Sequence, residues 1–180
     1  AEDGILYGDS LLEFRRVLVR SPEGGGWLHW HAGGESGGEE GMGGKAFAVA
    51  ILAHGLLRYL EQEPRPRPDV ERMLVRGADF LRDHAWVPGQ GFRYISHLRY
   101  HADKPRRGAT EGMNAELVAF AYEKTRDPKY LEFLNDMLAG HFDRSPGGNG
   151  KSYSQYVRQT IFGLDRMRGF GVTGAPARAR

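Results

Sequence analysis

The sequence predicts an all-α fold of antiparallel helical hairpins, on three observations. Apolar residues recur at helical spacing in six separate stretches. Pro, Gly and capping residues punctuate those stretches. Only residues 92–100 (FRYISHLRY) alternate as a strand or hairpin would.

The elements follow in order. Ser10-Leu11-Leu12-Glu13 is a capping box that opens a helix to about Arg20, with Leu11, Leu12, Phe14, Val17 and Leu18 on its apolar side. A second helix, 45–61, is apolar nearly all round (Ala46, Phe47, Val49, Ala50, Ile51, Leu52, Ala53, Leu56, Leu57, Leu60) and is expected to be buried on most sides. Pro64, Pro66 and Pro68 end it, because proline removes a donor and fixes φ. Asp69 is expected to cap a third helix, 69–86, whose stripe of Val70, Met73, Leu74, Leu81 and Ala85 marks one buried side. A fourth helix starts at Thr110 and again reads as enclosed, from Met113 through Tyr122. Asp127-Pro128 pairs an N-cap with proline at the first helical position and opens the fifth, 128–143, with Tyr130, Leu131, Leu134, Met137, Leu138 and His141 on one stripe. Ser152-Tyr153-Ser154-Gln155 is a second capping box and predicts a sixth helix to about Arg168.

The connections alternate in length. Residues 21–44, 87–109 and 145–151 are the long ones, and the links after the second and fourth helices are short. In an up-down array the first, third and fifth connections share one end. All long loops are therefore expected on one face, where the apolar inner helices begin. The predicted domain is 1–168, with 169–180 (GFGVTGAPARAR) a flexible tail.

Composition narrows the function. The chain has 180 residues, enough for one domain, with 40% hydrophobic and 27% charged residues. A formal charge of +2 makes nucleic-acid binding unexpected. No apolar run approaches the roughly 18 residues of a membrane span, so no membrane partner is expected. There is no Cys, which excludes disulfides, thiolate zinc sites and thiol nucleophiles. The 26 Gly are about twice the usual share, but 11% aromatic residues argue against disorder of the whole chain. No Walker loop, nucleophile elbow or dinucleotide fingerprint occurs, and no cofactor is expected. The chain opens Ala1-Glu2-Asp3, so a removed targeting segment or a fragment of a longer protein is expected.

Three stretches carry a family resemblance: the Gly41-Met42-Gly43-Gly44-Lys45 entry to an apolar helix, the run Ala46 to Leu60, and the turn Leu117 to Leu131 (LVAFAYEKTRDPKYL). Together they resemble the α/α toroid, or six-hairpin, superfamily of carbohydrate-active enzymes, over about residues 10–168. The resemblance implies half a ring or an open arc, completed by the remainder of a larger chain. It implies an oligosaccharide or polysaccharide partner, glycoside hydrolase or polysaccharide lyase activity, and a periplasmic or secreted setting. Two alternatives from other classes are a non-catalytic helical-repeat binding module and a terpene-cyclase-like protein. The latter lacks the Asp-rich motif that diphosphate chemistry needs.

The loop face supplies candidate groups. Trp27-Leu28-His29-Trp30-His31 precedes a Gly-rich stretch with Glu35, Glu39 and Glu40, and ten of the 26 Gly fall between residues 22 and 44. If extended, this pentapeptide places His29 and His31 on one side and Trp30 on the other. Exposed Trp and Tyr rings would seat sugar faces; the competing reading tucks Trp27 and Trp30 into the core. In a lyase, a group that offsets a uronate carboxylate works with a Tyr or His that removes the adjacent proton. Arg93 or Arg99, Asn114, Tyr94 or Tyr100, and His97 or His101 supply those parts. Hydrolysis instead needs two carboxylates about 5–9.5 Å apart. Glu39, Glu40 and Glu111 are the candidates, with Glu111 alternatively a partner of its own helix dipole. His29-x-His31 is a weak metal pattern, so no metal site is expected. His54 and His84 lie within helices and read as structural.

Overall fold

A computed structural model of the chain describes residues 27–31, 41–96, 105, 109–139 and 150–170. The expected helix from Ser10 to Arg20 and the tail beyond Phe170 lie outside these residues. The described elements are β1 (His29–His31), β2 (Gly41–Gly43), α1 (Ala46–Gln62), α2 (Pro68–Phe80), a π-helical turn (Leu81–Ala85), β3 (Trp86–Val87), β4 (Gly91–Phe92), α3 (Ala109–Thr125), α4 (Pro128–Ala139) and α5 (Gly150–Arg168). The fold is mostly helical, as the periodicity predicts.

Element boundaries follow local chemistry, with three corrections. α2 begins at Pro68 with proline in its first turn, not at an Asp69 cap. The Asp69 carboxylate instead accepts from Arg67 Nε at 3.1 Å and Nη2 at 2.8 Å. α5 begins earlier than its capping box predicts, at Gly150, which places Ser152 inside the first turn. Of the expected strand or hairpin over 92–100, Phe92 pairs upstream, in the antiparallel β3–β4 hairpin with Trp86 opposite Phe92, and 97–100 lie outside the described residues. The reason is the Pro88-Gly89-Gln90-Gly91 turn, where Gly89 (φ 72°) and Gly91 (φ 107°) take backbone angles that side chains disfavour. The α4 cap is as expected, with Asp127 Oδ1 accepting the Lys129 N–H at 3.0 Å.

The Arg67 guanidinium holds the Asp69 carboxyl down at about 2. A depressed folded-state pKa stabilises the fold above the ordinary carboxylate range and ceases to do so as pH falls through the folded value. Asp69 is 55% exposed, so the effect is below about 1 kcal/mol. In urea titrations, Asp69→Asn is expected to be slightly less stable than the parent at pH ~5, with the gap closing by about pH 2. A gap that persisted at the acid end would assign the loss to packing.

α3 is the hub. Residues 111–121 are buried without interruption, and the helix packs against α1, α2, α4 and α5. α1 and α5 run parallel to it, whereas α2 runs antiparallel, with Glu71 in its first turn paired to Lys124 at 2.6 Å. On the outer layer Tyr130 donates to Asp79 (2.9 Å) and Trp86 Nε1 to Asp136 (2.7 Å). Trp86, Phe92 and Phe133 meet edge to face beneath them. Ala50 and Ala119 are buried while Arg76 and Glu132 are exposed. The inner and outer assignment therefore stands for these positions. α1 is less enclosed than its composition predicts: Ile51 is 53% exposed. It packs one flank on α2 and α3 and meets α5 through long side chains, with His54 and Arg58 against Phe162.

Those side chains form a polar clasp. Glu116 is only 2% exposed; its carboxylate takes His54 Nδ1 at 2.8 Å, Arg58, and Arg166 Nε at 3.7 Å. Arg166 continues to Glu123 (2.9 Å) and Glu61 (3.3 Å). His54 is thus structural, as expected, and the clasp laces α1, α3 and α5 together. Close by, Gly163 lets α5 touch α3: a Cβ there would lie 2.7 Å from the backbone carbon of Ala115. Gly163→Ala is therefore expected to destabilise by about 1–3 kcal/mol, because backbone cannot yield as a side chain can. A denaturant midpoint equal to the parent's would show that the helices separate freely. The chain after α5 is anchored at Phe170, edge-on to Tyr122 and 4.0 Å beneath the Arg126 guanidinium.

Candidate functional site

The described parts of two long connections, 41–45 and 87–96, meet ahead of α1. β1 pairs antiparallel with β2, placing His29 opposite Gly43 and His31 opposite Gly41. The next residue, Gly44, exchanges two backbone hydrogen bonds with Ser96, at 2.7 and 2.9 Å. This bridge joins the ribbon ahead of α1 to the segment that follows the β3–β4 hairpin. Arg93 is tied down from its backbone, its N–H donating to Ala85 O at 2.8 Å.

Around the bridge lies a set of polar and aromatic groups. Tyr94 is 41% exposed and stacks on Phe47, with ring centroids 5.8 Å apart. The Lys45 ammonium sits 5.2 Å from the Tyr94 ring centre, and the residue is 8% exposed. Ser96, Glu111 and Asn114 are buried. Asn114 Nδ2 donates to Ala46 O (3.2 Å) and Thr110 O (2.9 Å), which ties the start of α3 to that of α1. Among the described residues, its Oδ1 and the Ser96 hydroxyl are buried without a hydrogen-bond partner. Among the described residues, the α1 N-terminus has no side-chain cap, and its first turn carries no acidic residue.

The candidates read from sequence distribute unevenly. Tyr94, Arg93, Glu111 and Asn114 fall at this end. Glu111 stands in the first turn of α3 and is 1% exposed. Trp27 is a core-packing residue: its ring lies against Gly77 of α2, 2.9 Å from where a Cβ would be, and its backbone has φ 41°. That placement realises the tucked-in alternative for Trp27. His29, Trp30 and His31 are placed as backbone in β1. Glu39, Glu40, His97, Arg99, Tyr100 and His101 lie outside the described residues. Lys45, Phe47 and Ser96 were not legible as site residues. Lys45 reads as an ordinary helix-entry lysine, and only the Gly44–Ser96 bridge brings Ser96 to it. Among the described residues, no three His, Asp or Glu side chains group as a metal site.

No protein-family model, curated protein or solved structure matches the chain.

Proposed function

We infer that this chain is a helical-hairpin segment of α/α-toroid type from a carbohydrate-active enzyme, and that its loop end binds a glycan. The supporting observation is the Gly44–Ser96 bridge, which joins two long connections over the starts of two inner helices and sets the 41% exposed Tyr94 ring beside Lys45. The parallel order of α1, α3 and α5, with α2 and α4 outside, fits successive hairpins of such an array.

Of the two chemistries, elimination fits better than hydrolysis. Glu111 is enclosed, so protonating a leaving oxygen would require it to open to solvent. Tyr94 is accessible, and with His97 it supplies a proton acceptor. Both amide hydrogens of Asn114 are committed to backbone carbonyls, so offsetting a uronate carboxylate falls to Arg93 or Arg99. The burial of Lys45, Ser96, Glu111 and Asn114 also suits a second reading, a non-catalytic glycan-binding module.

The test is a panel of neutral and uronate oligosaccharides, read by unsaturated-uronate absorbance, by reducing ends and by NMR titration. Turnover that Tyr94→Phe lowers with little change in binding supports the enzyme. Binding without turnover supports the module. Shifts confined to the Pro64–Pro68 and Arg126–Pro128 end would overturn the site assignment.

A further inference from the structure

At the opposite end of the molecule a cleft of about 260 Å³ opens where α1 and α3 finish and the 63–67 strap crosses to α2. Its volume exceeds the ~30 Å³ of a single water many times over and falls just short of the roughly 300–1,000 Å³ of drug-sized sites. Leu60, Pro64 and Pro66 supply an apolar floor, laid over the buried Leu57 and Phe120. Phe120 is buried, and the Lys124 ammonium and the Arg166 guanidinium stand 5.5 and 5.6 Å from its ring centre.

Both signs of charge edge this floor in equal number: Glu61, Glu63, Glu71 and Glu123 against Arg65, Arg67, Lys124 and Arg166. A ligand with one charge would meet as much repulsion as attraction. A ligand carrying both charges beside an apolar group would meet a partner for each part. The bridge best suited to receive one is Lys124–Glu71, which links α3 to α2 with both side chains 36% exposed. Exposed pairs of this kind contribute about 0–1 kcal/mol, so a ligand can part them at little cost. Arg166 is less free, being shared among Glu61, Glu116 and Glu123.

We propose that this cleft binds a zwitterion of amino-acid or dipeptide size with an apolar side chain. The ligand carboxylate pairs with Lys124, its ammonium with Glu71, and its side chain rests on Leu60 and on Pro64 and Pro66 of the strap. The site is separate from the loop end and stands independently of the glycan reading.

The test is NMR titration of the full chain with leucine, phenylalanine and Leu-Leu, alongside N-acetyl-leucine and leucinamide. The expected result is saturable shifts at Leu60, Glu71 and Lys124, with each blocked analogue at least tenfold weaker. Lys124→Met should weaken leucine and leave leucinamide unchanged, and Glu71→Gln should do the same against N-acetyl-leucine. Both side chains are partly exposed, so the variants are expected to keep the parent's unfolding midpoint within a few degrees. Equal binding of blocked and unblocked ligands would overturn the proposal, as would an absence of shifts at millimolar ligand or shifts confined to the loop end.

Discussion

Glu116→Ala is expected to lower the unfolding free energy by about 3 kcal/mol, the lower edge of the range for breaking a buried ion pair. The loss arises because Arg58, Arg166 and His54 converge on a carboxylate that is 2% exposed. It stays near the lower edge because Arg58 and Arg166 keep Glu61, and Arg166 keeps Glu123. Glu116→Gln preserves the shape and one acceptor, so it should fall between parent and Ala. Urea unfolding by circular dichroism gives the comparison. A loss under ~1 kcal/mol for Glu116→Ala would mean that the clasp behaves as a surface pair.

Leu117→Ala is expected to cost about 2–5 kcal/mol, the usual penalty for truncating an enclosed leucine. Leu117 is 1% exposed in the hub helix and reaches the Gly77 notch that also receives Trp27. Ile51→Ala is the internal control: similar chemistry at a 53% exposed position should change stability by about 0.5 kcal/mol or less. Equal losses at the two positions would remove the distinction between an enclosed α3 and a one-sided α1.

The helices were legible because their signals are local. Pro64, Pro66 and Pro68 forbid continuation of α1, Asp127-Pro128 starts α4, and apolar spacing marks which side is covered. That the first and third long connections share an end was legible too, from the alternating lengths, and the Gly44–Ser96 bridge joins them. The β1–β2 ribbon was not, since Gly41-Met42-Gly43 has no alternation to read. The enclosure of α1 was overestimated because composition tells what a helix tolerates and not how many neighbours it obtains. At the site, Tyr94, Arg93, Glu111 and Asn114 were found as residue types suited to sugars. What they touch depends on contacts far apart in sequence. The Asn114 amide is taken up by Ala46 and Thr110, and the Trp27 ring by a glycine of α2.

The Gly44–Ser96 bridge has a kinetic consequence. Among the described residues, its two backbone hydrogen bonds close a loop of ~50 residues, and two such bonds return less than the entropy of closing that loop alone. It can form only once α1, α2 and the hairpin are already in place, which makes the loop end the last part of this region to assemble and the first to open. The amides of Gly44 and Ser96 should accordingly exchange with solvent through local opening, faster than those of α3, which exchange only when the hub comes apart. Two backbone amides thus time the assembly of the loop end separately from the folding of the bundle that carries it.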